Sequence, residues 1–155
     1  MAGKTTKLLD DTDWALLHEL QNNARLSYTE LGQRVGLSTP AVTERIHKLE
    51  DAGIITGYHA NVDLAKVGLP VVAIVSIKEV GWTSTEEKIA RIEGIPEVVE
   101  LYRTTGDDSM IAKVVAPSVE KLNSIVCRLA DFGTPTTSVV RESTHIRNIS
   151  SKKSL

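Results

Sequence analysis

The chain has 155 residues, 41% of them hydrophobic and 25% charged, with a formal net charge of −2 and a pI near 6.1. That is ordinary globular composition, enough for one medium domain or two small ones, and a single Cys127 excludes an internal disulfide. No apolar run reaches the roughly eighteen residues of a membrane span, and the polar opening Met-Ala-Gly-Lys-Thr-Thr-Lys lacks the apolar stretch of a secretory leader, so a cytoplasmic protein is expected.

Residues 1–8 are polar. Asp10 then stands where an N-cap belongs, with acids following in the first turn, and Leu16, Leu17 and Leu20 recur at helical spacing until Asn22-Asn23. Ser27-Tyr28-Thr29-Glu30 is a capping box opening a short helix with Leu31 and Val35, which Gly36 stops. Ser38-Thr39-Pro40 opens the next helix, with proline tolerated in the first turn. Val42, Ile46 and Leu49 form its apolar stripe, and Gly53 ends it. Two short helices separated by Gly36-Leu37-Ser38, after a longer one, have the spacing of a helix-turn-helix.

Ile54 to Val62 reads as extended, and 63–69 as a hinge. Beyond it Val71 to Ile77 is a strand, and Ser84-Thr85-Glu86-Glu87 a second capping box before Ile89 and Ile92. Val98 to Thr104 and Met110 to Ala116 are strands joined by the turn Thr105-Gly106-Asp107-Asp108. A helix carries Val119, Leu122, Ile125, Val126 and Leu129, with Cys127 expected half-buried in a reducing compartment. Gly133 and Pro135 are expected to break that helix before a last strand, Ser138 to Asn148. The order βαββαβ predicts a ferredoxin-like α+β sandwich with the first and third strands central. Their segments are apolar on both faces, so the face without helices needs a cover; a second copy is the simplest, which predicts a homodimer. Trp82, beside Gly81, is expected to anchor its loop in the core, with packing over an interface as the alternative.

The fold class is therefore α+β: an N-terminal (winged) helix-turn-helix domain at 1–62, a hinge at 63–69, a ferredoxin-like domain at 70–149, and a tail at 150–155. Several stretches together carry a family resemblance. Leu9-Asp10-x-x-Asp13, Leu16-Leu17-x-x-Leu20, Ala24-Arg25 and Leu31-Gly32 open the pattern. Val35-Gly36-Leu37-Ser38 and Val42-x-x-Arg45-Ile46-x-x-Leu49-Glu50-x-x-Gly53-x-Ile55 complete it. The head resembles that of the leucine-responsive regulator/AsnC, or feast/famine, transcription regulators, and the βαββαβ half looks like their amino-acid-responsive domain. The resemblance implies a dimer built through the C-terminal sheets, commonly assembled into octamers. It also implies promoter DNA as partner, and an amino acid held between dimers near the turn joining the second and third strands. Where that family typically has Gly-Asp-aromatic-Asp, this chain has Gly106-Asp107-Asp108-Ser109.

With Val42, Ile46 and Leu49 inward, the second helix of the pair presents its amino-terminal half to a major groove. Ser38, Thr39, Ala41 and Thr43 are candidates for short contacts, and Arg45 for a guanine or a phosphate. Lys48, Arg34 and Arg25 are candidate phosphate anchors, with Ser27 and Tyr28 adding neutral phosphate hydrogen bonds. A solvated charged face is the competing reading of Arg45 and Lys48. Residues 1–62 hold six Lys/Arg against eight Asp/Glu, so one head binds weakly and affinity must come from several heads acting together.

In the second half Asp107 or Asp108 can face the ammonium of an amino acid, while turn amides face its carboxylate. Thr104 and Gly106 complete that turn, and Thr134, Thr136, Thr137 and Ser138 can line the same cleft from a neighbouring subunit. A plain polar turn beside a threonine-rich loop is the alternative. His18, His47, His59 and His145 lie in different elements, so no metal site, cofactor or catalytic constellation is expected. The rival functions are a tetrapyrrole-side-chain decarboxylase of the same architecture and a non-specific nucleoid-organising DNA binder.

Overall fold

A computed structural model describes residues 9–79 and 84–143, and the chain divides into two compact units between Asn61 and Val62. The first unit holds α1 (Asp11–Asn22), α2 (Tyr28–Val35) and α3 (Thr39–Asp51). The starts of α1 and α2 follow from their caps. Asp10 accepts from the Asp13 N–H and Ser27 from the Glu30 N–H, each in a reciprocal capping box. Gly36 ends α2 in the left-handed conformation, φ 73°, where a β-carbon would be strained. Leu16, Leu26, Leu31, Val42 and Ile46 are buried together, with Leu20, Tyr28, Val35, Leu37 and Ile55 packed around them.

The expected extended segment, 54–62, forms no strand ladder among the described residues, so no wing is built there. It is tied back instead: the Tyr58 hydroxyl donates to Glu50 Oε1 at 2.9 Å. The hinge is a formed turn. Asp63 Oδ1 accepts from the Ala65 and Lys66 N–H groups, and Gly68 takes φ 83°.

The second unit comprises β1 (Val71–Glu79), α4 (Thr85–Glu93), β2 (Val98–Arg103), β3 (Met110–Ala116), α5 (Val119–Leu129) and β4 (Gly133–Val139). The sheet is antiparallel with order β2-β3-β1-β4, so the first and third strands are central as expected. Ala73, Val75, Ile77, Met110, Ala112 and Val114 face a core shared with Ile92, Leu122, Ile125, Leu129 and Phe132. Of the second capping box only the forward half forms, from the Glu87 N–H to Ser84 Oγ.

Two expectations are corrected. β4 begins at Gly133, not Ser138, with Gly133 opposite Glu79 and Pro135 opposite Ile77. Proline, read as a breaker, is tolerated because β4 is an edge strand whose outer side needs no ladder donor. Glycine is required at 133, because a β-carbon there would collide with the Lys78 carbonyl oxygen. Cys127 is exposed rather than half-buried. The buried stripe of α5 is Leu122, Ile125 and Leu129, and residue 127 sits two positions past Ile125, about 200° around the helix. The Trp82 expectation, His145 and the last strand beyond Ser143 lie outside the described residues.

Candidate nucleic-acid interface and ligand hairpin

Burial of Val42, Ile46 and Leu49 fixes the rotation of α3. Ser38, Thr39, Pro40, Glu44, His47 and Lys48 are consequently exposed, and Ala41, Thr43 and Arg45 half-buried. The Thr39 hydroxyl lies 3.3 Å from that of Thr29 on α2, and the Thr43 hydroxyl donates to the Thr39 carbonyl. Ser38 makes no side-chain cap bond, unlike the N-caps of the other four α-helices among the described residues. The first turn of α3 therefore leaves backbone donors for an outside acceptor. Ser27 is not available in the same way, since its hydroxyl is engaged with Glu30, whose carboxyl is held below its ordinary value by that contact.

The four described Lys/Arg of the head differ in how firmly they are held. Arg25 is exposed and has no ion-pair partner among the described residues. Lys48 pairs with Glu44 at 2.5 Å, both about two-thirds exposed, and Arg34 pairs with Glu19 at 2.7 Å. The Lys48 pair, exposed on both sides, holds weakly and exchanges readily for a phosphate, whereas Glu19 under the exposed Arg34 is itself only 23% exposed. Arg45 is different. Its Nη1 lies 2.7 Å from Asp10 Oδ2 and 2.7 Å from Asp13 Oδ1, with its side chain 33% exposed. Hydrogen bonding from Arg45 pushes Asp10 below its usual carboxylate value, and the same bonds, to Asp10 and then Asp13, raise Arg45. Nothing in the sequence joins residues 35 and 32 positions apart; the only trace was the placement of both acids on one turn at the start of α1.

The β2–β3 hairpin closes through the Thr104 N–H to the Ser109 carbonyl, and the Thr104 hydroxyl donates to the Asp108 carbonyl. Gly106 takes φ 120°, and Asp107 and Asp108 are exposed. The Ser109 N–H bonds the Ile77 carbonyl, and Ile77 opposes Pro135, so the hairpin and the start of β4 share one end of the sheet. They are two strand spacings apart, about 10 Å, with β1 between them. The register also divides the four β4 candidates. Thr134, Thr136 and Ser138 oppose Lys78, Ser76 and Ile74, on the face without helices. Thr137 opposes buried Val75, on the other face.

The helix-free face carries Val72, Ile74, Ile111 and Tyr102 in a mixed apolar and charged surface. Ile74 is 37% and Tyr102 54% exposed. Lys113 and Glu100 oppose each other there at 2.8 Å, and the Tyr102 hydroxyl donates to Glu100. No group of three or more His, Cys, Asp or Glu able to hold a metal is present among the described residues, and none of their helices is long and apolar enough to cross a membrane.

Comparison with known proteins adds independent findings. A family model of the AsnC-type helix-turn-helix domain matches residues 9–50, and one of the Lrp/AsnC ligand binding domain matches residues 71–148. The uncharacterized HTH-type transcriptional regulator YezC of Bacillus subtilis is 42% identical over 135 residues, covering 87% of this chain and 95% of that protein. The structure of B. subtilis LrpC superposes with a TM-score of 0.85 at 32% identity, over 90% of this chain and 99% of LrpC. A Neisseria meningitidis transcriptional regulator solved with L-Met also gives 0.85, at 27% identity, over 96% and 100% of the two chains.

Proposed function

The chain belongs to the Lrp/AsnC family of helix-turn-helix transcription regulators, and from that premise we propose that the amino-terminal half of α3 reads operator DNA while the β2–β3 hairpin binds an amino acid. Its relatives are transcription regulators, not enzymes, which removes the decarboxylase reading.

The observation that carries the DNA reading is the exposed, uncapped start of α3, with Ser38 and Thr39 beside Ala41 and Thr43. A helix start of this kind offers N–H donors and hydroxyls to phosphate and base edges together. Arg25, Lys48 and Arg34 are the phosphate anchors, because their side chains are exposed where that of Arg45 is half-buried. Ser27 and Tyr28 are placed at the start of α2, where only Tyr28 keeps a hydroxyl for DNA. Footprinting tests the reading: discrete half-sites about one DNA turn apart, or a multiple, support a regulator, and uniform coverage supports a packaging protein instead.

For the effector, Asp107 and Asp108 take the ammonium and hairpin amides the carboxylate, with Thr104 and Gly106 shaping the turn. Thr134, Thr136 and Ser138 contribute from another subunit, since β1 separates them from the hairpin of their own chain; Thr137, on the opposite face of the sheet, is left out of this proposal. The relative solved with L-Met supports the ligand class. The helix-free sheet face is covered by a second copy, giving a cytoplasmic homodimer able to assemble to an octamer. A thermal-shift screen of the twenty amino acids tests the ligand, since selective binding raises the melting temperature; a flat screen removes it. Light scattering tests the assembly, and a monomer rejects it.

A further inference from the structure

An arginine on the outer half of a recognition helix is ordinarily assigned to a guanine or a phosphate. In this head the assignment meets an obstacle. The four carboxylate oxygens of Asp10 and Asp13 are fully distributed. Asp10 Oδ1 accepts from the Asp13 N–H at 2.8 Å and Asp13 Oδ2 from the Asp10 N–H at 3.2 Å, which closes the start of α1. The remaining two, Asp10 Oδ2 and Asp13 Oδ1, both accept from Arg45 Nη1 at 2.7 Å. One cation against two carboxylates leaves the cluster formally anionic, which repels a phosphate. Asp13 is the less exposed partner at 18%, so the clamp is anchored where water competes least.

We infer that Arg45 is a positioning residue: it fixes the attitude of α3 against the start of α1, and Asp10 and Asp13 belong to the DNA-recognition machinery without touching DNA. The α1 capping box and the recognition helix are one polar unit. The inference rests on the DNA reading above and adds to it a specific, counter-intuitive sign. Neutralising acids beside a DNA-binding surface ordinarily strengthens binding to any duplex, because repulsion falls. Here neutralising Asp10 and Asp13 weakens operator binding, because α3 loses its anchor.

The test uses the full-length protein and a duplex selected from genomic fragments by the wild type, with a shuffled duplex as control. The variants are Asp10→Asn with Asp13→Asn, Arg45→Ala, Arg45→Lys, and the triple change. Asparagine caps a helix about as well as aspartate, so α1 keeps its start; circular dichroism and melting at the assay temperature verify this. The expected result is a loss of about tenfold or more on the operator for the asparagine pair, with unchanged or tighter binding to the shuffled duplex. Arg45→Ala loses a similar factor with an unchanged salt slope, and the triple variant loses no more than either alone. Arg45→Lys, which keeps the charge but not the planar fork, loses as Arg45→Ala does.

A salt slope smaller by about one in Arg45→Ala, full retention in Arg45→Lys, or an asparagine pair that binds the operator as well as the wild type overturns the positioning role while leaving the DNA reading intact. A wild type that selects no duplex overturns the DNA reading, and the positioning role with it.

Discussion

The Leu37 carbonyl oxygen lies 2.5 Å from the point where a β-carbon on Gly32 would stand, and the Leu37 N–H bonds the Gly32 carbonyl at 2.8 Å. The turn between α2 and α3 thus folds onto the one helical position that has no side chain. On an open helix Gly→Ala gains about 1 kcal/mol. Here the collision is with backbone, which cannot swing aside. Gly32→Ala is expected to cost about 1–3 kcal/mol net, read by denaturant unfolding of the head, and to weaken operator retention. A head as stable as the wild type would mean that turn and helix separate freely.

Acid should release the Arg45 clamp. Asp10 is held ionised below the ordinary carboxylate value of 3.8, chiefly by hydrogen bonding from Arg45. A folded-state value below the unfolded one gives stability that is complete above the unfolded value and drains as pH falls through the folded one. The stability gap between wild type and Asp10→Asn is therefore expected to be flat from neutral pH to about 5 and to close below about 4. Urea melts across that range measure it.

Alkali acts on Tyr58. Partial desolvation first, then the hydrogen bond to Glu50, pushes the hydroxyl of this still half-exposed residue from 10.0 up to about 12. The folded value now lies above the unfolded one, so this contribution is present below about 10 and is lost on the way to 12. Ultraviolet titration of wild type against Tyr58→Phe should show one phenol ionising near 12. A difference spectrum centred at the ordinary tyrosine value would detach residues 54–62 from Glu50.

Ile125 and Cys127 are two residues apart on α5 and should behave oppositely. Ile125 is fully buried against the sheet, so Ile125→Ala should cost about 2–5 kcal/mol. Cys127 is exposed, and Cys127→Ala should fall within about 0.5 kcal/mol of the wild type. Calorimetry of both variants decides whether the helix phase is as described.

Local chemistry was legible in the chain; long-range partnership was not. Asp10, Ser27 and Gly36 announced their helix ends because caps are read from neighbours three or four residues away. The central places of β1 and β3 followed from the βαββαβ order, and their two-sided apolar composition agrees with it. Arg45 reads as a DNA contact from the sequence alone, because its partners in the fold lie more than thirty positions back in the chain. Pro135 was misread for a related reason. Whether proline breaks a strand depends on which side of the sheet it edges, and only the pairing shows that. Thr137 parts from Thr134, Thr136 and Ser138 because alternation along an extended chain matters only once the strand's start is known.

The bare beginning of α3 has a dynamic corollary. With Pro40 lacking an N–H and Ser38 offering no cap, the opening turn of this helix is completed only by whatever docks there. Stiffening on docking should thus concentrate at Thr39 and Ala41, as slowed amide exchange, while the self-closed openings of α1 and α2 stay as they were. A regulator so made is finished by its own target.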